Sequence, residues 1–151
     1  MKITGSQSVF NKKERYEDEY FIKLPSDIAH YMYVPGISAR HTFLYAMIVD
    51  YYNPDYGYAW PSHIKLATDL NRSTQTVSQD LRKLRDAGLI AIITVPSKDF
   101  NRYVPYKPLT QEELWLACPE AGERYRAKIK QLDDEKRRDH EKLRQLREAY
   151  P

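Results

Sequence analysis

The sequence has one cysteine, no long apolar run and almost no excess of charge of either sign. A single thiol, Cys118, allows neither an internal disulfide nor a multi-thiolate metal site, and the chain reads as a protein of a reducing cytoplasm. The longest apolar stretch, Phe43 to Val49, is far too short to span a bilayer, and the start MKITGSQSVFNKKER lacks the apolar segment of a signal peptide. The expectation is a soluble cytoplasmic protein without a membrane partner. Net charge is only +3, too little to indicate a nucleic-acid partner unless it is unevenly distributed. No GxxxxGK[ST] run supports ATP hydrolysis. His30, His41, His63 and His140 fall on four separate predicted elements without HxH or HExxH spacing, so neither a metal site nor a cofactor is expected.

What is present is a hydrophobic fraction of 42%, enough for a core, beside 30% charged residues and a mean hydropathy of -0.73. That combination is too polar for one compact body of 151 residues and predicts a long solvated element. Thirteen tyrosines are the compositional oddity.

Met1 to Glu19 has few apolar residues and no period, and is expected to be a mobile N-terminal arm. Tyr20 to Leu24 has the composition of a short strand, and Pro25-Ser26 that of a helix start with Ile28, Ala29 and Met32 on one side. Ser38 is placed to cap a helix whose Phe43, Leu44, Met47, Ile48 and Tyr51 form a buried face. Asn53 to Gly57 ends it. Pro61-Ser62 begins a short helix with Ile64, Leu66, Ala67 and Leu70 inward, closed by Asn71, a residue that tolerates positive φ. Ser73 caps the next helix, Thr74 to Ala87, whose Val77, Leu81 and Leu84 share one side. After Gly88, LIAIITVP and RYVPYK read as two antiparallel strands around a polar turn. Thr110 with Glu113 forms a capping box, and Glu120 to Ala149 predicts a helix of about 30 residues, roughly 45 Å long. Pro119 either starts that helix or kinks the preceding one.

Counting charge by segment resolves the weak total. Residues 1–37 balance five basic against five acidic side chains, and 110–151 balance ten against ten. Residues 61–109 carry eight basic (Lys65, Arg72, Arg82, Lys83, Arg85, Lys98, Arg102, Lys107) against four acidic (Asp69, Asp80, Asp86, Asp99). A DNA phosphate lattice rewards such a local surplus through counterion release. Opposite the apolar side of the Thr74 to Ala87 helix lie Gln75, Gln79, Arg82 and Asp86, flanked by Ser78 and Lys83. Gln and Arg can pair with adenine and guanine edges, whereas Lys and Ser suit phosphate oxygens. A polar exposed face, however, is what any surface helix requires.

The stretch PSHIKLATDLNRSTQTVSQDLRKLRDAGLI resembles the core of a bacterial winged helix-turn-helix domain, as found in transcription regulators and in phage or plasmid replication initiators. The matching features are Leu66-Ala67, the turn at Asn71, Ser73, Thr76-Val77, Leu81, Leu84 and Gly88-Leu89-Ile90. Asn71 stands where Gly is common, Arg72 at an often apolar position, and Asp80 where a small or apolar residue is frequent. The resemblance, specific over about residues 57–95 and looser over roughly 20–107, implies a mostly α fold with a small β-hairpin wing; with the elements read above, this gives a winged helix-turn-helix domain over 20–109 followed by a C-terminal helical extension over 110–151. It also implies sequence-specific binding of double-stranded DNA by a recognition helix at 73–87 and a wing at 89–107. Base-facing candidates are Thr74, Gln75, Ser78, Gln79 and Arg82; Ser62, Arg72, Lys83, Lys98 and Arg102 are candidates for phosphate or wing contacts.

Tyrosine could serve as a nucleophile in DNA nicking, but Tyr51, Tyr52, Tyr56 and Tyr58 are expected to pack in core and turn, so no enzymatic activity is expected. In the C-terminal helix, Tyr125, Ile129, Leu132, Lys136, Asp139, Leu143, Leu146 and Tyr150 alternate spacings of four and three, a coiled-coil seam interrupted by charge. It suits a homodimer, docking to a replication or transcription protein, or a lone helix solvated by pairs such as Asp133/Arg137 and Asp134/Arg138. The alternative function is a protein-protein interaction module that uses the winged helix and the long helix as docking surfaces.

Overall fold

A computed structural model describes residues 1–15, 19–96 and 100–150 of the chain. Residues 1–15 are exposed and contain no helix or strand. The strand expected at Tyr20–Leu24 is absent: the segment pairs with no strand among the described residues, and a strand needs a ladder partner. Its side chains anchor it instead. The Tyr20 hydroxyl donates to the Asp50 carboxylate, and the Phe21 ring meets Phe10 edge to face at 5.5 Å.

The first helix, Ser26–Tyr33, is 3₁₀ rather than α. At three residues per turn, positions three apart eclipse one another, so Ile28 and Tyr31 are buried and Val34 packs against them. The expected inward Ala29 and Met32 face solvent. Helix α1, Ala39–Tyr51, follows an extended Ser38 whose N–H donates to His41 Nδ1 at 3.0 Å. Its buried side is Leu44, Tyr45 and Ile48, with Met47 and Tyr51 at the margin; Phe43, expected inside, is 52% exposed. The 43/47/51 and 44/48 stripes are adjacent on a helix. The 3₁₀ helix, α3 and the hairpin all pack on α1, and the second stripe is the one fully buried.

Helix α2, His63–Leu70, starts at Ser62, whose Oγ accepts the Lys65 N–H at 3.0 Å, and buries Leu66 fully. Ile64, also expected inside, is 72% exposed because α2 offers one narrow stripe to its neighbours. Asn71 closes α2 in the left-handed region (φ 49°, ψ 53°), and Ser73 caps α3, Thr74–Asp86, by accepting the Thr76 N–H. Val77, Leu81 and Leu84 are buried. Gly88, at φ 76°, turns the chain into strand β1, Ile90–Thr94, which pairs antiparallel with β2, Asn101–Pro105. Ile92 opposes Tyr103 at the centre of the hairpin. A third short edge comes from the turn after α1: Ala59 and Tyr103 exchange N–H···O bonds of 2.8 Å.

Two buried tyrosines fasten the chain beyond the hairpin. Tyr45 donates to the Tyr106 carbonyl at 2.6 Å, and the Tyr31 hydroxyl accepts the Leu109 N–H at 2.9 Å. Burial pushes the Tyr45 phenol up to about 12. Helix α4, Gln111–Ala117, is capped by Thr110, and Pro119 opens a separate helix, α5, Pro119–Ala149, at the position where its missing N–H costs nothing. Leu114 and Ala121 are buried. Tyr125 stacks near Trp115 (5.4 Å) and meets Tyr33 edge-on (5.2 Å), while Arg124 donates to the Tyr33 carbonyl at 3.2 Å. Beyond Tyr125 every described residue of α5 is exposed. The anticipated pairs Asp133/Arg137 and Asp134/Arg138 are not formed; Glu141–Arg144 at 2.8 Å is the ion pair found on the described part of α5. Such exposed charges gain little from pairing over being solvated.

Three helices followed by a two-stranded antiparallel hairpin, with a long C-terminal helix appended, make the fold a winged helix-turn-helix. No described helix is long and apolar enough to cross a membrane.

Candidate nucleic-acid interface

Helix α3 holds its place by burying Val77, Leu81 and Leu84 against α1, α2 and β1, and its opposite side is therefore presented outward. Gln75, Gln79 and Arg82 are exposed there, while Thr74 is exposed at the first position of the helix, on the side of Val77 and Leu81. Ser78 is half-buried and occupied: its Oγ accepts from Arg82 Nη2 at 3.1 Å, and its carbonyl accepts from Arg82 Nε at 3.3 Å. The Arg82 guanidinium is thus folded back along α3 toward its N-terminus. Asp86, at the far end of this side, pairs with the adjacent Arg85 at 3.2 Å.

The other candidates are scattered around this face. Ser62 is exposed, but its hydroxyl is the cap of α2. Arg72 is exposed in the turn between α2 and α3, its own N–H donating to the Ala67 carbonyl at 3.0 Å. Lys83 lies on the flank that faces the turn before α1, where its Nζ would stand 3.4 Å from a side chain at Gly36. Arg102 belongs to β2 rather than to the hairpin tip, opposite Ile93. Its guanidinium covers the Tyr58 ring at 4.4 Å, and its Nε is buried without a partner. Lys98 lies outside the described residues.

Two features were not anticipated from sequence. The first is a polar contact between helices. Asp80, on the flank of α3, is 5% exposed and receives Arg40 Nη2 at 3.2 Å and the close approach of His41 Nε2 at 3.1 Å. Nε2 and the carboxylate oxygen are within contact distance, although their alignment falls short of a well-formed hydrogen bond. Burial holds the His41 pKa below its ordinary value; Asp80 opposes that shift, while Arg40 and Lys83 reinforce it. Nothing local in either helix signals a pair 39 residues apart in the chain.

The second is an aromatic cluster beside the hairpin. Because Ala59 pairs with Tyr103 and points inward, Tyr58 and Trp60 point to the outer side, where their rings lie 5.5 Å apart and Trp60 also meets Tyr56 at 5.4 Å. Alternation around Ala59 was the available signal. Tyr51 and Tyr58 do pack as expected, Tyr51 also donating to Asp69 at 2.6 Å, whereas Tyr52 and Tyr56 are 38% and 64% exposed. His63 meets Tyr103, not another histidine, and no cluster of potential metal ligands occurs among the described residues.

Comparison with known families agrees with this geometry. Residues 36–90 match the model of a helix-turn-helix domain family. The match runs from the turn before α1 through α2 and α3 to the first residue of β1, well under half of the chain, and leaves out the rest of the hairpin, α4 and α5. A helix-turn-helix domain suggests DNA binding. Neither the curated proteins nor the solved structures provide a match.

Proposed function

We propose that the chain binds double-stranded DNA sequence-specifically, with the N-terminal half of α3 in the major groove and the hairpin against the backbone or the adjacent minor groove. The observation that carries this is the outward row Gln75, Gln79 and Arg82, with Thr74 exposed at the helix start, on the second helix of a helix-turn-helix, within the one segment of the chain that has a basic surplus. Asp86 at the C-terminal end would be repelled by phosphate, which favours the N-terminal half as the groove end.

In this reading the protein is a transcription regulator or a phage or plasmid replication initiator in the cytoplasm, and not an enzyme. Self-association through α5 and contact with a replication or transcription protein belong to the same picture. Ser78 and Arg82 contribute after Arg82 swings out. Arg72, Lys83 and Ser62 hold phosphate, with Lys98 and Arg102 serving the wing.

Fluorescence anisotropy with a random duplex at about 50 and about 200 mM salt tests the reading. Measurable binding that collapses at the higher salt is expected. No binding even at low salt would overturn it and support a protein-docking winged helix instead.

A further inference from the structure

Along α5, from the half-buried Tyr125 to the C-cap residue Tyr150, runs a seam that reads the same from either end. Tyr125, Ile129, Leu132 and Lys136 are mirrored by Tyr150, Leu146, Leu143 and Asp139: aromatic, aliphatic, aliphatic, charged, then charged, aliphatic, aliphatic, aromatic. The spacings mirror as well, four, three, four on each side of a three-residue centre. Ile129, Leu132, Leu143 and Leu146 are 42 to 57% exposed, and α5 is a single unbroken helix.

We infer that α5 pairs with α5 of a second copy of this chain as an antiparallel coiled coil, its twofold axis level with the Arg137–Arg138 peptide. This deepens the self-association included in the DNA-binding reading. Turning one helix end for end sets Leu132 against Leu143, Ile129 against Leu146, Tyr125 against Tyr150 and Lys136 against Asp139, each twice by symmetry. The two charged seam residues, which looked like interruptions, then neutralise one another. A parallel pair in register would instead set Lys136 against Lys136 and Asp139 against Asp139, like charges at both central layers. The flanking positions follow the same sense. Antiparallel pairing brings Glu135 beside Lys142 and Asp133 beside His140, and only Arg126 and Arg147, toward the ends, meet like for like. Tyr150, 81% exposed, would close against the Tyr125 ring that already packs on Tyr33 and Trp115. The arrangement carries the two helix-turn-helix units to opposite ends of the rod, with their Pro119 residues ~55 Å apart along its axis.

The full chain in the absence of DNA is the sample, so that failure here and failure to bind DNA are separate results. Light scattering is expected to give twice the 17.9 kDa chain mass. Lys136→Asp alone, or Asp139→Lys alone, places like charges face to face and should give the monomer mass at the same concentration. The double exchange, Lys136→Asp with Asp139→Lys, should restore the dimer. In a parallel pair none of these changes alters the like-against-like pattern, so equal masses for all four proteins would overturn the antiparallel assignment. A spin label at Glu123→Cys, in a Cys118→Ser background with the seam untouched, gives an independent reading. A distance of ~45 Å is expected, and one within ~20 Å would establish the parallel form. A monomer for the unsubstituted chain at ~100 µM overturns the pairing altogether.

Discussion

The carboxylate of Asp80 on α3 lies 3.1 Å from Nε2 of His41 on α1, and Arg40 closes the same oxygen from the solvent side at 3.2 Å. The helix that presents the outward polar row is therefore tied to the first helix by a nearly buried charge as well as by Val77, Leu81 and Leu84. Removing one partner of such a contact leaves the others poorly satisfied. Asp80→Ala is expected to destabilise the fold by about 1–3 kcal/mol in urea unfolding. Arg40→Ala, whose side chain is half exposed, should cost less than about 1 kcal/mol. Equal costs would contradict the burial difference on which this rests.

His41 titrates below the ordinary histidine range because burial disfavours its charged form. In the window between its folded pKa and the unfolded value of about 6.5, the unfolded chain binds more protons. Stability from this group is thus complete above the unfolded pKa and is lost as pH falls through the folded one. Urea midpoints at pH 7.5 and below 6 should fall for the natural chain and fall less for His41→Gln. A steeper fall in the variant would refute the assignment.

Gly88 joins α3 to β1 at φ 76°, and an added Cβ there would meet nothing within 4 Å. The cost of Gly88→Ala is then backbone conformation alone, about 1–2 kcal/mol. A neutral result in thermal or urea unfolding would mean that the turn relaxes to negative φ.

For DNA, Arg82→Ala should weaken binding to a selected site by about 1–3 kcal/mol if its guanidinium reads a guanine, with little change on random duplex. Lys83→Ala should lower affinity for both alike and flatten the salt slope. Identical selected-site affinities for Arg82→Ala and the natural chain would remove Arg82 from the groove.

Local signals carried much of the fold. Ser73, Asn71, Gly88 and Thr110 mark their caps and turns through short-range hydrogen bonds and φ preferences, and those boundaries are legible in the sequence. What escaped was decided by distant partners. Phe43 and Ile64 are apolar and correctly spaced, yet neighbouring stripes won the contacts. The 3₁₀ period at Ser26–Tyr33 moved burial from Ala29 and Met32 to Tyr31, and Tyr20–Leu24 found no edge to pair with. For the candidate interface, the polar side of α3 was legible from helical spacing, but the folding back of Arg82 onto Ser78 and the seating of Arg102 on Tyr58 were not.

Helix α5 leaves the domain without a joint: Pro119 starts it, Tyr125 holds it to Trp115 and Tyr33, Arg124 ties it to the Tyr33 carbonyl, and it then runs unbroken to Ala149. A helix so clamped at one end behaves as a shaft. Each residue inserted along it turns everything beyond by about 100° and advances it by about 1.5 Å. Its length is consequently coupled to angular phase, and insertions or deletions that preserve the aim of its outer end come in near-whole turns, three or four residues at a time, or seven.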